Sequence, residues 1–159
     1  METQVLFVLA ESGSSADLTV ALAGVIISAI VAWVTARRTI AGDERRALRE
    51  GNMRLMEWAI AYPFLETQAF CDEWPSKPRG DEDATRYEFY CCHVFNVLEQ
   101  CWEFCDGDLD KMKHILYPDE LIKSHQRWWL HDPLNQEAYK VPFRQFVTSR
   151  IHAITGGEV

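Results

Sequence analysis

Five cysteines are the residues of this chain whose chemistry is most versatile. Cys101 and Cys105 are four residues apart on a predicted helix, so they share one face of it. A zinc site needs four converging ligands, usually in CxxC-type pairs, and His93 lies on another side of that helix. We therefore interpret the cysteines as small buried apolar residues and predict neither a metal site nor a catalytic residue.

Three aspartates near residue 108 resemble the start of a calcium-binding loop. Asp106, Asp108 and Asp110 alternate as the first ligands of such a loop do, but Tyr117 stands where the bidentate Glu should be. The loop glycine is also missing. The aspartates are therefore predicted to cap helices rather than to bind calcium.

A group of basic and aromatic residues in the C-terminal third could bind a small ligand. Tryptophan rings stack on bases, and Arg and Lys pair with phosphates, which suits a nucleotide. The alternative is a hydrogen-bonded core histidine at His125 with the basic residues on a solvated face. The ligand-binding residues of the first interpretation are Lys123, Arg127, Trp128, Lys140, Arg144 and Arg150.

No sequence motif of a known enzyme class is present. The chain has no Gly-rich phosphate loop, no GxSxG, no HExxH and no kinase signature. The net charge of −8 argues against a duplex nucleic acid as partner, since such binders carry a basic surface. We therefore predict a protein that is not an enzyme and takes no cofactor; a membrane-tethered enzyme using Cys or His is the last alternative.

The elements that would position these residues are predicted to be helices. No alternating strand pattern occurs, and prolines and glycines divide the chain after residue 62 into helical segments. The segment from residue 82 to 105 is apolar almost all round, which is typical of a central, buried helix. The sequence predicts an all-α domain over 63–159, with helices over 64–74, 82–105, 109–117, 118–131 and 141–154.

An uncharged apolar segment precedes this domain. Residues 18–36 carry no charge and would span about 28 Å as a helix, close to the hydrocarbon thickness of a bilayer. All 16 basic residues follow it, starting with Arg37 and Arg38, so the positive-inside rule predicts a cytosolic C-terminus and an extracytoplasmic segment 1–17. An odd number of cysteines, two of them adjacent, also suits a reducing compartment.

Two further features belong to the segment around the span. Residues 37–62 are predicted to form a juxtamembrane helical stalk, because 41–52 are polar nearly all round and so have no face to bury in a core. Gly42 and Gly51 are expected to be weak points in this helix. Small residues recur every fourth position in the span, a pattern that lets membrane helices approach closely, although such residues are common in any span. Self-association of this inner-membrane protein is predicted through Gly24, Ser28 and Ala32.

The chain resembles a group of small bacterial membrane proteins of unassigned function, with one N-terminal span, a basic stalk and a compact helical cytosolic domain. The matching parts are the uncharged span with ARR, YEFYCCHVFNVLE, DGDLD, RWW and PFRQFV. Its layout is also similar to membrane effectors of type III CRISPR systems. That similarity implies a cytosolic domain that binds a cyclic oligoadenylate.

These observations lead to two functional hypotheses. The first is an inner-membrane protein, associated with the lipid bilayer and with copies of itself, whose cytosolic helices form a non-enzymatic sensing or interaction module. The second is an antiviral membrane effector that binds a cyclic oligonucleotide, a small nucleotide second messenger, and perturbs the membrane.

Overall fold

The computed structural model describes residues 15–78 and 80–156, with side chains from Val25 onward. The predicted N-terminal segment 1–17 therefore lies largely outside the described residues. Of the predicted span, the part before Val25, which includes Gly24, is described by its backbone alone. Within the described ranges the regular elements are helices and none is a strand, which confirms the all-α fold. The α-helices are α1 (Ser15–Ala61), α2 (Gln68–Glu73), α3 (Glu82–Phe104), α4 (Leu109–Lys113), α5 (Pro118–His131), α6 (Leu134–Glu137) and α7 (Val141–Thr155), with 3-10 helices at Pro63–Glu66 and Trp74–Ser76.

Helix α1 includes the apolar segment and continues beyond it without a break at either glycine. In the described part of the chain, it is the one helix that is long and apolar enough to cross a membrane. Val25, Ile27 and Val31 are each more than half exposed to solvent. The hydroxyl of Thr39 donates to the carbonyl of Thr35 at 3.0 Å, so this polar group is satisfied within the helix itself.

The chain divides into two compact units, and the second begins at Glu44 rather than at residue 63. Residues 44–61 were assigned to a stalk, but Leu48 and Leu55 are buried in the core of this second unit, called the helical unit below. The two leucines are seven residues apart and therefore share one helical face. A single apolar row among polar neighbours is a weak sequence signal for such packing.

Gly51 lies between those leucines and allows α1 to approach α3 closely. A Cβ on this residue would stand 2.9 Å from Cγ2 of Val97, closer than two carbon atoms can pack. The ring Nε2 of His93 also lies 3.3 Å from the carbonyl oxygen of Gly51. The glycine that the sequence suggested as a weak point in the helix is therefore a packing position.

Helix α3 is the buried centre of the helical unit, as its apolar sequence predicted. The Asp81 carboxylate accepts a hydrogen bond from the backbone N–H of Ala84 at 2.8 Å and caps its start. At its end, Asp106 and Gly107 both have positive φ, and the Gly107 N–H donates to the carbonyl of Trp102 at 2.8 Å. Gly107 is therefore a left-handed cap residue. Nine of its residues are buried: Ala84, Tyr87, Tyr90, Cys91, Val94, Phe95, Val97, Leu98 and Cys101.

Helix α5 packs its buried face against α3 and α7. It begins with Pro118 at the first-turn position and ends at His131, before Asp132 and Pro133, as expected. The short helix α6 that follows was not predicted. Its Asn135 and Gln136 side chains donate to carbonyls at the end of α5, at 2.7 and 3.0 Å, and so satisfy groups that the helix end leaves unpaired. A helix of four residues is too short to show a periodic pattern in sequence.

Candidate functional site

A partly enclosed cavity of about 360 Å³ lies in the helical unit between α1, the segment before α5, and α5 itself. We call it the Glu66 cavity. Its apolar wall consists of Leu55, Met56, Ala59, Ile115, Leu116, Tyr117 and Leu121. Its polar lining consists of Asn52, Glu66, Tyr90, Glu120 and Ser124.

The local sequence explains why Glu66 reaches this cavity. Pro63 ends α1 and opens a 3-10 helix, because proline restricts the preceding residue and cannot continue the hydrogen-bond ladder. Leu65 is fully buried and anchors that turn to the core. Thr67 closes it, with its hydroxyl donating to the carbonyl of Phe64 at 2.8 Å. Glu66 is thereby held on the wall that α1 and α5 also line.

Behind Glu66 lies a chain of buried polar side chains. The Tyr90 hydroxyl donates to Oε1 of Glu66, and Nε2 of His125 lies 3.6 Å from the same oxygen. Nδ1 of His125 is 3.0 Å from the Tyr87 hydroxyl. When that hydroxyl donates to Nδ1, the ring proton stands on Nε2, on the side of Glu66. The 3.6 Å separation is an ion-pair distance and longer than a hydrogen bond, and Nε2 has no hydrogen-bond partner.

The network fixes the charge of the carboxylate. His125 holds the pKa of Glu66 below its ordinary value, with a further contribution from the Tyr90 hydroxyl, while burial acts in the opposite direction. Burial raises the pKa of Tyr90 and of Tyr87, so both remain neutral donors at neutral pH. Glu66 is therefore an ionised carboxylate on the wall of a mainly apolar cavity.

Three of the six predicted ligand-binding residues have acidic partners. Arg127 pairs with Asp72, with 2.9 Å between Nε and Oδ1, and also donates to the carbonyl oxygen of that residue. Arg150 forms a two-pronged pair with Asp119 at 2.8 and 2.9 Å. The Lys140 ammonium pairs with Glu103.

The remaining three lie apart from one another. Trp128 is buried, and its ring stacks on that of Phe95 with 5.5 Å between the centroids, so this face is not free to stack on a base. Trp128 and Arg144 line two different concavities, and Lys123 is exposed. The structure thus places the six residues around the helical unit and does not bring them into one pocket.

The cysteines lie where their apolar character predicts. Four are buried, Cys92 is half-buried, and all five are free thiols. Burial raises the pKa of each thiol, to about 12 for Cys101, so at neutral pH they carry no charge. Over residues 25–78 and 80–156, no group of three or more His, Cys, Asp or Glu side chains is arranged to hold a metal ion.

Sequence reasoning identified one member of the polar network and missed the others. His125 was expected as either a hydrogen-bonded core histidine or part of a ligand site, and its contact with Tyr87 shows the first arrangement. No sequence pattern indicates a role for Glu66, an isolated acid in the segment PFLE after a helix-ending proline. Tyr87 and Tyr90 belong to the apolar pattern that predicts a buried helix over 82–105. Their hydroxyl partners lie 38 and 24 residues away in sequence, too far for any local pattern.

Comparisons with protein-family models, with curated proteins and with solved structures find no match to this chain.

Proposed function

We propose that the chain is a single-pass inner-membrane protein whose helical unit is a non-enzymatic module that binds a ligand in the Glu66 cavity. Helix α1 is the main support for this proposal, because it contributes to both the membrane assignment and the ligand-binding cavity. Its residues 25–36 form an exposed apolar surface, and its residues Asn52, Leu55, Met56 and Ala59 line the cavity.

The exposed apolar residues of α1 support the membrane part of the proposal. Val25 is 67% exposed, and Ile26, Ile27, Ile30 and Val31 are each more than half exposed. Burying one such side chain away from water is worth about 1.5–3 kcal/mol, so a run of them favours transfer into lipid. The Arg37 guanidinium lies 4.4 Å from the centre of the Trp33 ring, a cation and an indole together at the end of the apolar segment. Both residue types are typical of a cytosolic membrane interface.

The chemistry of the cavity supports binding rather than catalysis. Glu66 is a carboxylate that accepts a hydrogen bond from the neutral Tyr90 hydroxyl, and the cysteines of the helical unit are protonated thiols. A cavity with an apolar wall and a few convergent polar groups, one of them with a shifted pKa, is the usual form of a small-molecule site.

Exposed Ser28 and Ala32 on α1 support self-association of the span.

Extraction of membranes with alkaline carbonate tests the membrane assignment. The full chain should stay in the pellet, whereas a variant with Ile27→Arg and Val31→Arg should be released, since each arginine within a span costs about 2.5–3.5 kcal/mol. The matched control is Met53→Arg with Ile60→Arg, which changes two exposed apolar residues of the same helix outside the predicted span. Release of the unmodified chain would contradict the proposal.

The second candidate is a membrane effector gated by a cyclic oligonucleotide, and one concavity favours it. Arg144 is half-buried there beside Thr148 and His152, whose side chains can donate to a phosphate. Calorimetric titration with a cyclic oligoadenylate should then show binding that Arg144→Ala abolishes. Arg127→Ala should have a smaller effect, because Asp72 already holds that guanidinium. An unchanged affinity of the Arg144→Ala variant would remove this candidate's only structural support.

A further inference from the structure

The lining of the Glu66 cavity contains two acidic side chains and is otherwise uncharged and mainly apolar. Glu66 and Glu120 are its ionisable acids, and no Lys, Arg or His is among the residues that line it. Arg150 pairs with Asp119, the neighbour of Glu120, but lies outside the lining. An anionic ligand would therefore meet two carboxylates and no compensating cation. A cationic ligand would find the complementary charge.

The two oxygens of Glu66 have different surroundings. Oε1 accepts from Tyr90 and faces the buried His125, whereas Oε2 has no hydrogen-bond partner among the described residues. The side chain is 37% exposed, so the carboxylate is reachable from the cavity. One oxygen thus positions the group, and the other remains available as an acceptor.

We infer that the Glu66 cavity binds a small organic cation, an ammonium group attached to an apolar body, with its N–H groups donating to the Glu66 carboxylate. This inference rests on the proposed function, since it names the ligand class of the same cavity. The apolar body lies against Leu55, Met56 and Leu121, and Tyr117 stands at the rim. A charge-assisted hydrogen bond in a partly enclosed site is stronger than a neutral one, which makes the charge the main source of selectivity.

The cavity size sets the scale of the ligand. At about 360 Å³ it is at the small end of the range for ligand pockets, which is about 300–1,000 Å³. A single aromatic ring or a short alkyl chain with one ammonium group fits such a volume. A cyclic oligonucleotide does not, so this site is chemically separate from the concavity that contains Arg144.

Isothermal titration of the full chain in lipid nanodiscs tests the inference with three probes of similar shape. These are 2-phenylethylammonium, the neutral 2-phenylethanol and the anionic 3-phenylpropanoate, each corrected for binding to empty nanodiscs. The ammonium should bind about tenfold to a hundredfold more tightly than the alcohol, as expected for a hydrogen bond to a charged group. The carboxylate should not bind.

Three variants test whether the Glu66 carboxylate in this cavity determines the preference for the ammonium. Glu66→Gln keeps an oxygen that accepts from Tyr90 but removes the charge, so the ammonium should lose its preference over the alcohol. The control Glu57→Gln neutralises an exposed acid on α1 that does not line the cavity and should leave the preference unchanged. Ala59→Trp fills the cavity and should block both probes, which keeps the test decisive even if the Glu66 variant does not fold.

The outcomes separate this inference from the proposed function. Equal binding of the ammonium and the alcohol, or an undiminished preference in Glu66→Gln, would overturn the cation assignment. If Ala59→Trp still abolished binding of the alcohol, the cavity would remain a binding site and the proposed function would stand. Binding of none of the three probes would overturn the inference, while the carbonate extraction would still decide the membrane assignment.

Discussion

The Glu66 carboxylate is held on one side by Tyr90 and His125 and is open on the other. His125 is fully buried, and its Nδ1 is occupied by the Tyr87 hydroxyl. A buried imidazole 3.6 Å from a carboxylate oxygen stabilises the ionised form of that carboxylate. Together with Tyr87, these residues place a fixed negative charge, that of Glu66, on one wall of a mainly apolar cavity.

The lowered pKa of Glu66 has a consequence for stability. A carboxyl group whose pKa is lower in the folded chain than in the unfolded chain contributes stability that is present above the unfolded pKa and is lost as pH falls through the folded pKa. The stability advantage of the unmodified chain over Glu66→Gln should therefore shrink as pH falls below the ordinary value of 4.5. Urea unfolding of both proteins between pH 7 and pH 3 measures it. A difference that stays constant or grows on acidification would contradict the assigned network.

At the scale of elements, the close packing of α1 on α3 depends on Gly51. Because a Cβ would meet Val97 at 2.9 Å, Gly51→Ala should destabilise the helical unit by about 1–3 kcal/mol, the usual cost of overpacking. Alanine otherwise favours a helix over glycine, so the sign of the effect is diagnostic. Thermal unfolding of the full chain, followed by circular dichroism, measures the change.

Two variants control this prediction. Val97→Ala combined with Gly51→Ala should recover part of the loss, because it removes the methyl groups that the new Cβ would meet. Gly42→Ala, where a Cβ would have no neighbour within 4 Å, should not lower stability. A Gly51→Ala protein as stable as the unmodified chain would show that the two helices are farther apart than described.

The elements that sequence predicted best are those with strong local signals. Pro63, Pro118 and the Asp106–Asp108 turn mark boundaries by backbone chemistry, and the apolar surface of α3 follows directly from its composition. The sequence does not indicate that residues 44–61 pack on the helical unit, because only Leu48 and Leu55 are buried there and their partners are distant in sequence. The Glu66 cavity was missed for the same reason: its walls come from α1, the turn after Pro63, α3 and α5, which only the fold brings together.

At the scale of the whole molecule, the proposal predicts an assembly of spans in the membrane. Ala32→Leu should reduce self-association, because a larger side chain at a small-xxx-small position keeps two helices apart. The matched control is Ala29→Leu, the same exchange at an exposed residue outside the small-residue row. Chemical cross-linking in membranes measures both variants. Detection of monomer alone for the unmodified chain would contradict the oligomeric part of the proposal.

The most direct test of the account is the orientation of the chain in a membrane. A membrane-impermeant maleimide is applied to intact cells carrying either Thr3→Cys or Glu57→Cys, with the unmodified chain and its mostly buried cysteines as the measure of background. The account predicts labelling of Thr3→Cys in intact cells and of Glu57→Cys only after permeabilisation. Labelling of both variants in intact cells, or of Glu57→Cys alone, would contradict a single span with a cytosolic helical unit.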